Sequence, residues 1–222
     1  MTKYIALEGI DGTGKGVQTQ LLVNALRERH LRVGVLSFPD YESFFGGEVG
    51  KYLSGREGVK ANEVDQKSMA LWFAMDRREA LRRFDTSALD AVIFNRYVLS
   101  NAVYQSIRKI DAGRPPLLPF VEKLEYEILG LPRPDRQLIL DVAPATAAGN
   151  VEKKGFREYV GNEKDVYEAE DSLQDRAREM YLRYAARIPG AVVVPCMENG
   201  ALLPIPAVHA LVLKEVLPLF GF

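Results

Sequence analysis

The chain has 222 residues, with 29 Lys plus Arg against 30 Asp plus Glu and a formal net charge of −1. Nucleic-acid binding rests on a basic face that neutralises phosphates, so this balance argues against a DNA or RNA partner and leaves open a small polyanion held by a few placed cations. A single cysteine (Cys196) and two histidines (His30 and His209) exclude an internal disulfide and a four-thiolate zinc site, and 47% hydrophobic residues suffice for a full core.

In chain order, the first element is a short apolar run from Tyr4 to Leu7, bounded by Lys3 and Glu8. It is too short for a signal-peptide core or a bilayer span. A glycine-rich loop follows, then helical periodicity from Lys15 to His30. A second apolar run, Val33 to Leu36, leads into an irregular stretch, Ser37 to Gly47, rich in Pro, Asp, Ser and Gly. Helical spacing resumes from Asn62 to Phe84 and gives way to the apolar run Ala91 to Phe94. Two further helical segments, Leu99 to Ile110 and Phe120 to Leu129, precede the run Leu138 to Leu140. Lys153 to Asp165 is polar, charged and punctuated by Gly155 and Gly161. Val166 to Arg187 is helical again, and Ala191 to Val194 is the last of the apolar runs. The stretch from Ala201 to Phe222 is interrupted by prolines, Lys214 and Glu215, so nothing approaches eighteen uncharged apolar residues. The expectation is a soluble, cytoplasmic protein with no membrane partner.

Continuous rather than alternating apolarity predicts strands buried on both faces, as in a parallel sheet. Strand and helix alternate, which predicts an α/β sandwich of three layers: a five-stranded parallel sheet flanked by helices, with right-handed crossovers. No repeat and no separating linker interrupts the pattern, so residues 1–222 read as one domain with a short lid at about 153–165.

Directly after the first strand stands Gly9-Ile10-Asp11-Gly12-Thr13-Gly14-Lys15-Gly16, opening an amphipathic helix. This is the GxxxxGK pattern in its required strand–loop–helix context, the P-loop of NTPases. Glycines let the backbone wrap so that successive N–H groups point at one anion. The helix N-terminus adds partial positive charge, and the Lys15 ammonium reaches the β- and γ-phosphates of ATP. The expected ATP contacts are Gly9, Asp11, Gly12, Thr13, Gly14, Lys15, Gly16 and Val17. One position departs from the pattern: a Ser or Thr hydroxyl that would ligate Mg²⁺ is replaced by Gly16, followed by Val17.

Beyond the loop, the chain resembles the thymidylate kinase family over most of its length. The likeness begins with Leu7-Glu8-Gly9-Ile10-Asp11-Gly12-Thr13-Gly14-Lys15 and continues in Ser37-Phe38-Pro39-Asp40-Tyr41 and Trp72-Phe73-Ala74-Met75-Asp76-Arg77-Arg78-Glu79. It runs on through Asn95-Arg96-Tyr97-Val98-Leu99-Ser100-Asn101-Ala102-Val103-Tyr104-Gln105, Pro134-Asp135, Leu140-Asp141-Val142 and Asp165-Val166-Tyr167-Glu168. The resemblance implies transfer of the ATP γ-phosphoryl to dTMP, with Mg²⁺ as cofactor and a homodimer as the working form.

Phe73 and Arg77 stand four apart, on one helix face, where a ring can stack on a pyrimidine and a guanidinium can donate to a carbonyl. An aromatic helix stripe by itself reads first as core; the Arg one turn on points toward a site, and the resemblance assigns both residues to the thymine. Arg96 follows a buried strand at the sheet's carboxyl edge, where ligands of open α/β sheets bind, and the resemblance gives it the dTMP phosphate. By the same resemblance Asn101 hydrogen-bonds the base, Tyr104 crowds the sugar C2′, and Phe38-Pro39 shapes the acceptor pocket wall. Asp11 would contact the sugar and help organise the metal, although a carboxylate in a tight loop also caps its own backbone N–H groups. No arginine stands near Tyr41, where many relatives carry one for the acceptor phosphate.

A second departure is Asn95, where the family has an aspartate; an amide binds a hard cation more weakly. Glu168 resembles the remaining metal-site or lid-anchoring carboxylate. The P-loop lacks an arginine, so the resemblance points to lid-borne cations among Lys153, Lys154 and Arg157, with Arg157 as the candidate for the transferring phosphoryl. Two other readings stay open: a kinase for another pyrimidine nucleotide or nucleoside, and a catalytically impaired nucleotide-binding homologue, motivated by Gly16 and Asn95.

Overall fold

Short apolar runs without polar alternation need protein on both faces. In the computed structural model, which describes residues 1–55, 58–108, 112–152 and 172–222, they have it. β1 (Lys3–Glu8), β2 (Val33–Ser37), β3 (Ala91–Asn95), β4 (Arg136–Asp141) and β5 (Ala191–Pro195) form one parallel sheet in the order β2-β3-β1-β4-β5. Every predicted strand is present, longer than its apolar run by one to three residues. Ile5, Leu7, Ile93, Phe94 and Leu138 are fully enclosed. Helix α1 (Lys15–Arg27) packs beside α8 (Ile205–Val216) on one face. On the other, α7 (Leu173–Ala185) lies over β4 and β5 next to α4 (Val98–Ser106), which carries α3 (Gln66–Arg83) and then α2 (Phe44–Ser54). This is the expected three-layer arrangement.

The strand order fixes where a ligand goes. The chain leaves β1 for the β2 edge of the sheet, but leaves β3 for β4 on the far side of β1. Between the carboxyl ends of β1 and β3 the connections therefore diverge, opening the crevice in which α/β sheets bind ligands. Leu7 pairs with Asn95, and the Arg96 N–H donates to the Leu7 carbonyl at 3.0 Å, so the loop after β1 lies beside the residue after β3.

Several helix boundaries differ from the periodicity. α1 ends at Arg27 rather than His30. α3 begins at Gln66 rather than Asn62 because the Asp65 carboxylate caps it, accepting from the Lys67 and Ser68 N–H groups at 3.0 and 3.1 Å. α4 covers Val98–Ser106 instead of Leu99 to Ile110, and 109–111 lie outside the described residues. The expected helix Phe120 to Leu129 starts earlier and divides into α5 (Leu118–Glu122) and a π-helical turn, Lys123–Ile128. The last predicted helix, Val166 to Arg187, is described as α7 from Leu173 and ends at Ala185.

Three helices were not anticipated: α2, α6 (Pro144–Glu152) and α8. The stretch Ser37 to Gly47, read as irregular, turns helical at Phe44, where the Ser43 hydroxyl accepts from the Gly46 N–H at 2.9 Å. Glycine at 46 is a packing requirement, since a Cβ there would sit 1.9 Å from the Asp40 carbonyl. Of the prolines read as interruptions, Pro204 caps α8 and Pro206 lies in its first turn, where a missing N–H breaks no helical hydrogen bond, and Pro218 stands beyond its end. No helix among the described residues is long and apolar enough to cross a membrane.

Candidate active site

The loop after β1 bends through Gly9, Gly12 and Gly14, all at positive φ (130°, 81° and 86°). Close approach reinforces the requirement at Gly12, where a Cβ would lie 2.0 Å from the Ala147 carbonyl of α6. Gly14 delivers the chain into α1 with Lys15 as first helical residue. The Lys15 side chain is buried and folds over its own loop, donating to the Gly9 and Ile10 carbonyls at 3.0 and 2.7 Å. The Thr13 hydroxyl donates to Ile10 (3.1 Å), and the Asn150 amide of α6 to Gly12 (3.0 Å). Gly16 and Val17 are exposed on the first turn.

Arg96 faces the loop from the end of β3, held at φ 65°, a conformation that residues with a Cβ rarely adopt and that recurs where side chains must be aimed. It donates to the Gly9 carbonyl and the Ser100 hydroxyl, both at 3.2 Å, and pairs directly with the Asp11 carboxylate. Burial lowers its affinity for the proton, but the charge of Asp11 foremost outweighs burial and holds it firmly cationic. Asp11 also accepts from the Tyr104 hydroxyl (3.1 Å) and the Gln174 amide (3.2 Å). Arg96, Asp11 and Tyr104, assigned separately in the sequence, thus form one cluster.

Beneath it lies a residue that received no role from the sequence, Glu8. It is fully buried at the end of β1 and accepts from the Ser100 hydroxyl (2.5 Å), the Tyr97 N–H (2.9 Å) and the Tyr181 hydroxyl (3.3 Å). Burial pushes its carboxyl above the usual carboxylate range, against these hydrogen bonds and the Arg96 and Lys15 charges. A glutamate closing an otherwise apolar strand was the available signal. Gln174, from α7, had none.

A second cluster lies between α3, α4 and the π turn. Arg77 is 2% exposed and donates to both oxygens of Glu125, from Nε at 2.5 Å and Nη2 at 2.6 Å. Asn101 donates from Nδ2 to the Ala70 carbonyl (3.0 Å) and to Glu125 Oε1 (2.9 Å). The Phe38 ring closes one side, 6.0 Å from the Arg77 guanidinium carbon, with Pro39 beyond a cis peptide bond. Phe73 is half-buried on α3, one turn before Arg77. The sequence named Arg77 and Asn101 but not Glu125, which joins them. Arg157, Glu168 and the stretch read as a lid lie outside the described residues.

The loop carrying Phe38 and Pro39 is tied down by Asp76, whose carboxylate accepts from the Asp40 N–H (3.2 and 3.3 Å) and the Ser43 hydroxyl (3.1 Å). Burial raises its pKa from the ordinary 3.8 to about 6, against the pull of Arg77 and these hydrogen bonds. A carboxyl raised on folding contributes fully below its unfolded pKa and loses that contribution as pH rises through the folded value. Chemical denaturation of wild type and Asp76→Asn should therefore diverge from pH 4 to 7, wild type losing up to about 3 kcal/mol relative to the variant. Parallel stability curves would refute the buried-carboxyl reading.

Among the described residues, no group of three or more His, Cys, Asp or Glu side chains forms a metal cage. Oxygen donors near the loop include Asp11, the Thr13 hydroxyl and the Asn95 amide, whose buried Oδ1 has no hydrogen-bond partner among the described residues. This set suits a hydrated Mg²⁺ carried by nucleotide phosphates better than an ion held by protein alone.

Comparison with known proteins agrees with the geometry. The family model described as Thymidylate kinase matches residues 7–199. The thymidylate kinase of Mycobacterium tuberculosis (strain CDC 1551 / Oshkosh) is 34% identical over 186 residues, 82% of this chain and 86% of that protein. A probable thymidylate kinase of Thermococcus kodakarensis is 26% identical over 224 residues, 98% of each chain. The crystal structure of thymidylate kinase from Ehrlichia chaffeensis superposes with a TM-score of 0.67 at 22% identity, across 96% of this chain and 97% of that one, which is a likeness of fold. With the family model spanning most of its length and a relative 34% identical over 82% of it, the chain belongs to the thymidylate kinase family.

Proposed function

We propose that the protein phosphorylates dTMP to dTDP with ATP as donor. The observation that carries this reading is α4, which joins the two clusters: Ser100 and Tyr104 bond the Arg96–Asp11 pair beside the phosphate loop, and Asn101 bonds the Glu125 carboxylate that holds Arg77. A dTMP phosphate oxygen attacks Pγ, the bond from Pγ to the β-bridging oxygen breaks, and ADP leaves. The protein's work is alignment, charge neutralisation and exclusion of water. Lys15 exchanges the Gly9 and Ile10 carbonyls for β- and γ-phosphate oxygens. Arg96 exchanges part of its engagement with Asp11 for the acceptor phosphate. Arg77 and Asn101 hold the base, Phe73 stacks on it, and Tyr104 lines the sugar.

Mg²⁺ supplies charge neutralisation on the donor phosphates when bound; Asp11 and Asn95 are the described side chains that would hold it or its waters. Arg157 and Glu168 are assigned to the lid and metal region by resemblance, and a cytoplasmic homodimer is the expected form.

The test is ADP release across a panel of nucleosides and monophosphates, with dTDP identified chromatographically. The expected result is dTMP as preferred acceptor, with one dTDP per ADP. A Cβ at Gly16 would meet nothing within 4 Å, so Gly16→Ser is sterically free. Combined with Asn95→Asp it should raise turnover, by about tenfold, through better metal retention. Preference for another acceptor would overturn the proposal. Binding of ATP and dTMP without dTDP at any Mg²⁺ or Mn²⁺ concentration would favour the impaired homologue.

A further inference from the structure

We infer that Glu125 is a positioning residue that sets base selectivity by fixing which end of the Asn101 amide meets the base. The inference rests on dTMP being the acceptor. An asparagine presents either a donor or an acceptor, and a half-turn of its amide interchanges them. Here that choice is removed. Both hydrogens of Nδ2 are engaged, one by the Ala70 carbonyl and one by Glu125 Oε1. Turning the amide would set its oxygen against a carbonyl and a carboxylate, acceptor against acceptor. Oδ1 is thereby left as the remaining acceptor, a buried atom with no hydrogen-bond partner among the described residues. Asn101 itself is 2% exposed, so water does not substitute for a ligand there without entering the site.

The same carboxylate orients Arg77. By receiving Nε and Nη2 together, Glu125 fixes the guanidinium plane and leaves Nη1 directed away from the pair. The result is a fixed acceptor beside a fixed donor. That pattern matches a pyrimidine with N3–H and a 4-carbonyl, as in thymine and uracil, and opposes one with an unprotonated N3 and a 4-amino group, as in cytosine. Sites built on hydrogen bonds reject mismatched analogues strongly because buried groups are left unpaired.

The backbone supports a special task for this position. Glu125 lies in the π-helical turn Lys123–Ile128, where the Leu129 N–H reaches back to the Leu124 carbonyl at 2.9 Å. Such turns recur where a helix must re-aim a side chain at a functional site.

The experiment measures kcat and KM for dTMP and dCMP in wild type and Glu125→Gln, with thermal melts alongside. The expected result is a ten- to hundredfold fall in the dTMP-to-dCMP ratio of kcat/KM. It should arise mainly from a higher KM for dTMP, without a parallel loss on dCMP. General destabilisation lowers both substrates together and does not move the ratio. If Glu125→Gln does not fold, Glu125→Asp keeps the charge but withdraws it by one methylene; its ratio should fall several-fold below wild type, and an unchanged ratio overturns the inference. An unchanged ratio in the folded variant, with wild type preferring dTMP, overturns the role of Glu125 alone. A wild type that does not prefer dTMP overturns the proposed function and this inference together.

Discussion

Replacing Lys15 by methionine should lower kcat about a thousandfold while leaving the fold intact. The catalytic loss follows from the chemistry of the step. Phosphoryl transfer offers the protein little covalent work, so a positioned cation against the developing phosphate charge carries a large share of the barrier reduction. Removing one such donor in a water-poor site costs about 10²–10³ in rate, and here the lost group also carries full charge. The structural tolerance follows from the resting contacts. Lys15 donates to the Gly9 and Ile10 carbonyls, yet each has another donor: Arg96 for Gly9 at 3.2 Å and the Thr13 hydroxyl for Ile10 at 3.1 Å. Methionine retains the apolar stem inside the buried site and strands no carbonyl. The check is kcat by ADP release with the melting temperature measured in parallel. A kcat within tenfold of wild type at an unchanged melting temperature would remove Lys15 from the phosphoryl-transfer machinery.

How much of this was legible in the chain depends on how local each signal is. The strands were, because five apolar runs without alternation require burial on both faces, and the P-loop was, because its glycines and lysine follow a strand and open a helix. α2 escaped because Phe44–Ser54 contains three glycines, poor helix formers, and the one at 46 is required by a contact from elsewhere, the Asp40 carbonyl. α8 escaped because Pro206 and its neighbour Pro204 read as breaks, when proline at a helix start marks its beginning. In the site, single residue types in a motif were visible, but their pairings were not. Nothing in the spacing of Glu122, Glu125 and Glu127 distinguishes the carboxylate that meets Arg77 from two surface ones. That distinction arises from the π turn, and a π turn has no periodic signature in so short a stretch. Gln174 is similar: its contact with Asp11 spans 163 positions.

The resting state also has a consequence for how the acceptor enters. Arg96 is engaged before any phosphate arrives, by Asp11, the Gly9 carbonyl and Ser100. On the proposed assignment of the acceptor phosphate to Arg96, a phosphate that binds competes with Asp11 and meets a guanidinium already oriented. Pre-orientation of this kind trades affinity for geometry, because the ordering of a long side chain has been met during folding.

Arg96→Ala should accordingly lower kcat/KM for dTMP by about a thousandfold or more, with ATP affinity nearly unchanged. Arg96→Lys should restore little of it, because an ammonium offers a point charge where the site is shaped for a planar fork reaching Gly9, Ser100 and Asp11 together. Some stability should go as well. Glu8 is fully buried, already raised by desolvation, and Arg96 is one of the cations that favour its charged form. Activity must therefore be measured well below the variant's melting temperature. The decisive measurement is a cycle with Asp11→Ala. If Asp11 acts by holding Arg96, its removal should matter in the wild-type background and add little in Arg96→Ala. If Asp11 instead acts directly on the sugar or on the metal–nucleotide complex, the two losses should multiply. A lysine variant with near-wild-type kcat/KM would show that charge alone suffices, and that the positive-φ backbone at Arg96 serves another end.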